Sequence, residues 1–332
     1  MKVLRTYYIF LFSTVVISQE KEAIKYEDLY ERNGLIYASD QDSSFNGAVD
    51  ENWPTGINKL SYIYKNGKPD SKWSDWFNNG QPKEEVEYSD GIKNGLHKQW
   101  YKNGQQKFER TYKNGIHDGK WTEWYENGQS MVEGNFLDGK PDGTWIYWYP
   151  NGQKREEGNP VSSDTSSLAF LNDGIWNYWH PNGQLKEMGS YISGEKDGQW
   201  FEWHDNGQIR LKETYKTNKR NGKWLSWFYN GQIEIEGDYI NDKKSGKWIT
   251  WYPWGWRSYE INGGNNESSF ILWFDDQQRS SEGFYRNDVK DGTWVWWSRE
   301  GILDSSGVFN RGIRSCLLYT SPSPRDLSTS RM

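Results

Sequence analysis

The sequence predicts an all-β protein, an elongated antiparallel solenoid or meander of stacked β-hairpin repeats of about 24 residues each. Three observations predict it: a tryptophan recurs at an almost constant interval, Asn-Gly steps recur in phase with it, and aromatic rings outnumber the usual aliphatic core residues. The 332 residues include 22 Trp, 22 Tyr and 34 Gly. Buried Trp and Tyr rings each cover a large area, so we expect an aromatic core.

The tryptophan repeat is the strongest of these signals. One Trp recurs every 24 residues, with one interval of 31 and one of 22. We call these the following tryptophans: Trp76, Trp100, Trp124, Trp148, Trp179, Trp203, Trp227, Trp251, Trp273 and Trp297. A second ring stands three residues before each of them. We call these the leading rings: Trp73, His97, Trp121, Trp145, Trp176, Trp200, Trp224, Trp248, Phe270 and Trp294.

Two turn signals divide each repeat into strands. An Asn-Gly-Gln step stands three residues after a following tryptophan, and because Asn and Gly both tolerate positive φ it predicts a type I′ hairpin turn. An Asp-Gly-x-Trp step before the leading ring predicts a second turn. Two turns leave strands of about five to seven residues. The Asn positions are Asn79, Asn103, Asn127, Asn151, Asn182, Asn206 and Asn230, and the Asp positions are Asp118, Asp142, Asp173, Asp197 and Asp291, with Asn221 and Ser245 as variants.

The two ring series raise a question about the faces of the sheet. Rings three residues apart point to opposite faces of a regular strand, because side chains alternate with a period of two. Either both faces carry aromatic rows, or a β-bulge brings both rings to one face. A lone hairpin is marginally stable, so in both cases neighbouring repeats must stack.

Two repeats depart from the pattern. The 31-residue interval contains residues 160–166, where Pro160 stands at an aromatic position, and this predicts a looped-out connection. Around Trp254-Gly255-Trp256 and residues 263–266 the Asn-Gly turn is replaced and the interval is 22. This second departure predicts an irregular hairpin or a kink.

The two ends differ from the repeats. Residues 1–18 place basic residues before an apolar run and small residues before Gln19, which predicts a secretory signal peptide and a secreted, periplasmic or envelope location. A short membrane anchor is the alternative. We expect residues 19–55 to form an N-terminal cap with a degenerate repeat, and residues 56–313 to form the array of about ten units. Residues 314–332 break the pattern and are expected to be a non-native, adapter-derived tail.

Charge narrows the classes of partner. The formal net charge is −6, and the two ends contain more basic than acidic residues, so the repeat array is more acidic than the whole chain. An acidic surface disfavours nucleic acid and anionic membrane lipid as partners. The single cysteine, Cys316, lies in the expected tail, so we expect no disulfide.

The repeat resembles a known family. Residues 133–145 (EGNFLDGKPDGTW), followed by residues 148–153 (WYPNGQ), are similar to the MORN-repeat variant, and the likeness extends over about residues 60–313. The resemblance implies a solenoid of β-hairpins. Many bacterial members are described as antitoxin components of toxin–antitoxin systems, so it also implies neutralisation of a toxin. The predicted signal peptide fits that role poorly, because an antitoxin normally meets its toxin in the cytoplasm.

We expect no metal site, no cofactor and no catalytic activity. His180 and His204 share a repeat position one hairpin apart, about 10 Å, which is too far for one zinc ion. The recurring Asp residues lack the dense spacing of calcium-binding repeats. Carboxylate pairs recur with the repeat and are therefore expected to serve the fold rather than acid–base chemistry; examples are Glu84 with Glu85, Glu156 with Glu157, and Glu234 with Glu236. No nucleophile or phosphate-binding motif accompanies them.

Three tryptophans lie outside both ring series: Trp254, Trp256 and Trp296. They are the candidate ligand-binding residues, because exposed rings stack on sugars and form large contacts with peptides. The main hypothesis is a non-enzymatic repeat scaffold that binds a protein or a cell-envelope polymer. The alternatives are an antitoxin component that neutralises a toxin by direct binding, and a carbohydrate-binding protein.

Overall fold

The computed structural model describes residues 24–162, 170–263 and 266–320. The predicted signal peptide (1–18) lies outside these ranges. Within them the structure is strand and turn, apart from one 3-10 turn at Tyr26–Asp28, which confirms the all-β prediction. In this described part, no helix combines the length and apolarity needed to cross a membrane. The chain divides into two compact units, which we describe separately.

The first unit extends to Ile92. A small hairpin precedes a four-stranded antiparallel meander. The hairpin consists of β1 (Leu29–Arg32) and β2 (Leu35–Ala38), and the meander of β3 (Gly47–Asn52), β4 (Asn58–Lys65), β5 (Lys68–Trp76) and β6 (Pro82–Ser89). Its core contains Ala38, Phe45, Val49, Leu60 and Tyr64. The predicted cap (residues 19–55) therefore contributes three of these five core residues, and its strand β3 pairs with β4 of the repeat array.

The second unit begins at Lys93, the second residue of β7, and is an antiparallel meander in which each strand pairs with the next. The strands β17 and β18 are one interrupted strand, since both pair with β16. This topology confirms the predicted stack of β-hairpins. The strands are β7 (Ile92–Trp100), β8 (Gln106–Lys113), β9 (Ile116–Trp124), β10 (Ser130–Leu137), β11 (Lys140–Trp148), β12 (Lys154–Ser162), β13 (Phe170–Trp179), β14 (Leu185–Ile192), β15 (Glu195–Trp203), β16 (Ile209–Lys216), β17 (Lys219–Arg220), β18 (Gly222–Trp227), β19 (Ile233–Ile240), β20 (Lys243–Trp251), β21 (Arg257–Gly263), β22 (Glu267–Trp273), β23 (Arg279–Arg286), β24 (Val289–Trp297), β25 (Leu303–Asn310) and β26 (Ile313–Thr320).

The Asn-Gly-Gln turns do not have the predicted type I′ geometry. Between β11 and β12, the Gly152 N–H donates to the Tyr149 carbonyl at 2.9 Å, and the Tyr149 N–H donates to the Gln153 carbonyl at 2.8 Å. Gly152 has φ +83°, whereas Asn151 is not among the residues with positive φ. The turn is therefore a type I turn followed by a left-handed glycine. Pro150 at its second position favours this type, because its ring holds φ near −65°.

The type I′ turns lie at the opposite end of the strands. Asp138 and Gly139, with φ 48° and 79°, join β10 to β11. The Asp142-Gly143 step, predicted as this turn, lies inside β11 at a register shift, where Gly143 has φ +69°. The prediction of a turn at Asp-Gly-x-Trp is wrong because the step forms a β-bulge within the strand. The strands consequently run for eight or nine residues in most hairpins, longer than the predicted five to seven.

Both faces of the sheet carry aromatic rings. Phe201 and Trp203 stack with centroids 6.0 Å apart, and Trp294 and Trp296 with centroids 6.1 Å apart. Residues two apart share a face, so the leading and following series occupy opposite faces. The register shift beside Trp203 places the extra residue, Arg210, in the partner strand, and the alternation of the Trp-bearing strand stays regular. Of the two alternatives left open by the sequence, the structure selects rows on both faces.

The leading tryptophans are most buried where the preceding strand places a glycine beneath the ring. Five of them are only 1–5% exposed, and a Cβ added to that glycine would overlap the indole ring in each case. The pairs are Trp145 with Gly134, Trp176 with Gly158, Trp200 with Gly189, Trp248 with Gly237, and Trp294 with Gly283. Trp73, Trp121 and Trp224 face Tyr62, Arg110 and Glu213 instead and are less buried. Because glycine has no side chain, it leaves the space that a fully buried Trp ring needs.

The two irregular repeats are more regular than predicted. Pro160 is buried within β12, in register with Asn172, so the predicted looped-out segment 160–166 begins inside a strand; residues 163–169 lie outside the described ranges. The turn at Trp254-Gly255-Trp256 keeps the geometry of its neighbours, which contradicts the expected irregularity there. The shorter interval arises in the hairpin β21–β22, whose register has no shift and which lacks the Asp-Gly bulge.

Candidate functional site

One edge of the second unit is formed by the Asn-Gly-Gln turns, which are hydrogen-bonded to one another. The Asn151 side-chain oxygen accepts from the Gln153 N–H at 3.0 Å, and its side-chain nitrogen donates to the Pro181 carbonyl of the next turn at 2.8 Å. The same amide bond to the next turn is made by Asn103, Asn127, Asn182, Asn206 and Asn230. Each Asn therefore stabilises its own turn and the one after it.

A second series of bonds begins at the first residue of each turn. The Tyr149 hydroxyl donates to the Trp179 carbonyl of the next repeat at 2.9 Å. His180 and His204 take the place of Tyr, with Nε2 lying 3.0 Å and 3.1 Å from the Trp203 and Trp227 carbonyls. Their ring nitrogens are engaged in the same contact between repeats as the Tyr hydroxyl. Among the described residues, no group of three or more His, Cys, Asp or Glu side chains is arranged to hold a metal.

Trp254 and Trp256 replace the Asn and the Gln of one turn in this series. The Tyr252 N–H donates to the Trp256 carbonyl at 2.7 Å, and the Gly255 N–H donates to the Tyr252 carbonyl at 2.9 Å. Gly255 has φ +93°. These values match the turn at residues 149–153, so the backbone is unchanged and only the two side chains differ. The structure thus places two of the three predicted ligand-binding residues together, on one turn.

Two contacts hold the Trp254 ring in place. Its indole N–H donates to the Asp275 carbonyl at 3.3 Å, which is the contact that Asn makes in the neighbouring turns. The ring stacks on Tyr252 with centroids 5.0 Å apart and planes 5° apart. The Tyr252 hydroxyl in turn donates to the Trp273 carbonyl at 3.3 Å. Despite these contacts Trp254 remains 55% exposed, and Trp256 39%. One face of the Trp254 ring covers Tyr252, so the exposure belongs to the other face and its edges.

A third exposed ring lies on the preceding turn. Tyr229 is 57% exposed and stands between Phe228 and Asn230, one hairpin or about 10 Å away from the Trp254 turn. The Asp205 carboxylate, hydrogen-bonded to the Tyr229 hydroxyl, raises the pKa of that phenol. We call Tyr229, Trp254 and Trp256 the aromatic strip. Tyr229 was not predicted from the sequence. The signal for it is that other turns have Pro, Asn, Lys, Glu, Asp or Arg at its position.

The aromatic strip is uncharged and is bordered by carboxylates. Residues 228–232 (FYNGQ) and 252–256 (YPWGW) contain no charged side chain. Asp205 lies on the turn before them, and Asp275 and Asp276 lie on the turn after them. Asp275 is paired with Arg299 at 2.5 Å. Arg257, next to Trp256, is paired with Glu260 at 3.6 Å and lies over the Trp273 ring. The strip is therefore neutral, and the carboxylates at its border are partly paired with arginine.

Trp296, the third predicted ligand-binding residue, lies in the middle of strand β24. Its ring neighbours are Trp294 and Phe309, at centroid distances of 6.1 Å each, and Lys290 lies 5.1 Å from its centroid. Tyr147 and Tyr178 occupy the same position beside Trp145 and Trp176. Trp296 is partly buried and belongs to the aromatic face formed by the leading rings. It is not part of the aromatic strip.

A basic cluster lies at the start of the second unit. His97 replaces a leading Trp and is buried, with its Nδ1 3.3 Å from Lys93 Nζ. The Arg110 guanidinium lies 3.9 Å from the Trp121 centroid. Burial, together with the nearby positive charges of Arg110 and Lys93, lowers the pKa of His117 to about 4. This cluster is packed against rings and has consequences for pH stability.

The recurring carboxylates are engaged in ion pairs. Glu156 pairs with Arg155 at 2.7 Å, and Glu157 pairs with Lys154 at 2.5 Å. Consecutive residues of a strand point to opposite faces, so Glu156 and Glu157 lie on different sides of the sheet. They are not placed to act on one substrate as an acid and a base.

The fold and this edge define a class: a scaffold of stacked β-hairpin repeats in which residues at fixed positions hold successive turns together. The model of the MORN repeat variant matches residues 69–90, 93–114, 118–138, 141–159, 172–193, 196–217 and 220–241. The chain is therefore a MORN-repeat protein, as its sequence motifs indicated. The matched repeats end at residue 241, so Trp254 and Trp256 lie beyond the last of them.

Two comparisons with other proteins add little. No curated protein matches the chain. Among solved structures, the crystal structures of TcdB2-TccC3 and TcdB2-TccC3-TEV are similar over 82% and 85% of this chain, at 10% identity and with TM-scores of 0.18 and 0.17. The chain spans only 17% and 18% of the length of those chains. At these TM-scores the likeness carries no argument about function.

Proposed function

We propose that the protein is a non-catalytic repeat scaffold that binds a protein partner or a cell-envelope polymer through the aromatic strip. One observation carries the proposal: Trp254 and Trp256 stand on a turn whose neighbours form the same backbone with Asn and Gln. The fold does not need tryptophan there, because Asn makes the same bond to the next turn. Large rigid rings exposed on a surface are the side chains that most often dominate binding energy.

Other side chains of the repeat array support binding rather than catalysis. The ion-paired carboxylates Glu156 and Glu157 lie on opposite faces, and the imidazoles of His180 and His204 contact backbone carbonyls instead of a common ligand. The acidic charge of the chain argues against nucleic acid and anionic lipid as partners. We place the protein outside the cytoplasm or in the envelope, on the basis of the signal peptide predicted at residues 1–18.

The test is a comparative pull-down. The full chain and the variant W254N/W256Q, which restores the side chains of the neighbouring turns, are used as bait in envelope and soluble extracts of the source cell, with mass spectrometry as the readout. We expect at least one component to be retained by the natural chain and lost with the variant. Matching circular dichroism spectra and melting temperatures show that both baits are folded.

The outcome also separates the main hypothesis from its rivals. Equal retention of every component by both baits contradicts a binding role for the strip. A retained small protein whose toxicity is suppressed by the natural chain but not by W254N/W256Q supports the antitoxin alternative. Retention of polysaccharide in place of a protein supports the carbohydrate-binding alternative.

A further inference from the structure

We propose that the ligand of the aromatic strip is a neutral β-linked glycan. This inference rests on the proposed function and adds to it the chemical class of the partner. Sugar rings have an apolar C–H face that packs on an aromatic ring, and hydroxyl groups around their edge that need hydrogen-bond partners. The strip and its border offer both kinds of contact.

The rigidity of Trp254 suits a stacking contact. Its ring is fixed by the bond to the Asp275 carbonyl and by the parallel contact with Tyr252, while its other face is open. A side chain that is already immobile loses little conformational entropy when a ligand binds. A flat sugar face therefore meets a flat surface that requires no rearrangement. Tyr229 is braced in a similar way, by Asp205 and by the His204 ring 5.2 Å away.

The spacing of the strip suits an extended chain of sugars. Successive turns along this edge are two strands apart, about 10 Å. An extended β-linked glycan repeats its orientation every second sugar, over a similar length. Trp254 reaches toward the following turn, to the Asp275 carbonyl, and Tyr229 toward the preceding turn, to the Asp205 carboxylate, so the two rings lie between one and two turn spacings apart, about 10–20 Å. One sugar on Trp254 therefore places an equivalent sugar of the same chain near Tyr229 about two to four sugars further along. A long β-linked polymer can follow the edge from turn to turn.

Charge selects a neutral glycan over an acidic one. Neither turn that bears the strip contains a cation, and Arg257 beside it is already engaged by Glu260. Among the bordering carboxylates, Asp275 is paired with Arg299, which also lies 4.0 Å from Asp276. Asp205 and Asp276 are the carboxylates that we expect to accept hydrogen bonds from sugar hydroxyls and to repel uronic acid or phosphate groups. The repulsion between this border and an acidic polymer is strongest at low salt, where charges are least screened.

The test is calorimetric titration of the full chain with cellohexaose and chitohexaose, and with a galacturonate hexamer as the acidic comparison. We expect at least one neutral hexamer to bind and the acidic one not to bind. In W254N/W256Q we expect the affinity to fall by about tenfold or more, because both stacking rings of this turn are lost. Tyr229→Ser is expected to weaken binding several-fold. The control variant Trp296→Tyr removes a tryptophan outside the strip, and we expect it to leave the affinity unchanged.

The outcomes separate this inference from the proposed function. Absence of binding to both neutral hexamers, or equal binding by W254N/W256Q and the natural chain, overturns the glycan inference. If in that case the pull-down still shows a protein lost with W254N/W256Q, the strip is a protein-binding site and the proposed function stands. Stronger binding of the galacturonate hexamer than of the neutral hexamers also overturns the inference.

Discussion

Gly189→Ala is expected to destabilise the protein, although the same change is usually favourable in a strand. Gly189 does not have a positive φ, so alanine fits its backbone and by itself would add about 0.5 kcal/mol of stability through the unfolded chain. An added Cβ, however, would overlap the Trp200 ring, which is 1% exposed. The ring must lift from the sheet. The sign of the effect therefore tests whether the contact between glycine and tryptophan is as tight as the structure shows.

The magnitude follows from what Trp200 would lose. A buried Trp removes about 150–250 Å² from water, equivalent to about 4–6 kcal/mol at about 25 cal/mol/Å². A ring that re-exposes a third to a half of this area loses about 2 kcal/mol. The bond from its indole N–H to the Ser190 carbonyl, 3.2 Å long, contributes about 1 kcal/mol more. We expect a net loss of about 2–4 kcal/mol.

The assay is urea unfolding followed by circular dichroism, combined with hydrogen exchange of peptides from β14, β15 and β16, because repeat arrays can unfold locally. Trp200→Ala provides the matched background. In that background Gly189→Ala should change the free energy of unfolding little or not at all, since the ring that the added Cβ displaces is absent. A Gly189→Ala protein as stable as the natural chain, with unchanged exchange in these strands, would refute the reasoning.

The remaining predictions concern the turns and pH. Asn151→Ala should raise hydrogen exchange in its own turn and in the turn of Pro181, and cost about 1–2 kcal/mol, because two bonds are lost; unchanged exchange would contradict the role of Asn in joining turns. His180→Tyr should be nearly neutral in melting temperature, while His180→Phe should lower stability by about 1 kcal/mol, because only Tyr can donate to the Trp203 carbonyl; equal stability of the two variants would be evidence against that bond. Burial lowers the pKa of His117 to about 4, so its neutral form contributes stability that is complete above pH 6.5. As the pH falls from 6.5 to 4 the unfolded chain gains a proton that the folded chain does not, and up to about 3 kcal/mol is lost. Urea midpoints between pH 8 and pH 4 should fall less steeply in His117→Phe, and identical pH profiles would argue against this assignment.

The repeat, the hairpin and the aromatic core could all be predicted from the sequence, because they depend on local patterns. The recurring Trp, the Asn-Gly-Gln steps and the scarcity of aliphatic residues indicate stacked hairpins without reference to any long-range contact. The turn types could not be predicted in the same way. Asn-Gly is compatible with two hairpin geometries, and Pro150 together with the bond from Asn151 to the next turn favours the type I form over the predicted type I′.

The candidate site was partly predictable. Trp254 and Trp256 stand out in the sequence because they depart from a strict repeat, and the structure places both on an exposed turn. Trp296 departs from the repeat as well, but it lies on the face of the leading rings. It stands two residues after Trp294, so the two rings lie side by side on one face of the sheet. Which ring series occupies that face is shown only by the structure. Tyr229 was missed because its signal appears only when the second residues of all the turns are compared, whereas the candidate residues were chosen by comparing the tryptophans.

The sequence by itself determined the repeating unit of this protein, a hairpin of about 24 residues, since the spacing of rings and Asn-Gly-Gln steps along the chain sets its length. Only the tertiary structure decided which rings are buried and which are exposed. The reason is that burial of a Trp depends on the residue across the hairpin: Gly189 allows Trp200 to lie flat on the sheet, whereas Arg110 keeps Trp121 higher. At the turns, the carbonyl one hairpin away provides the same acceptor in each case, so the same bond to the next turn is made by the amide of Asn230 or by the indole N–H of Trp254.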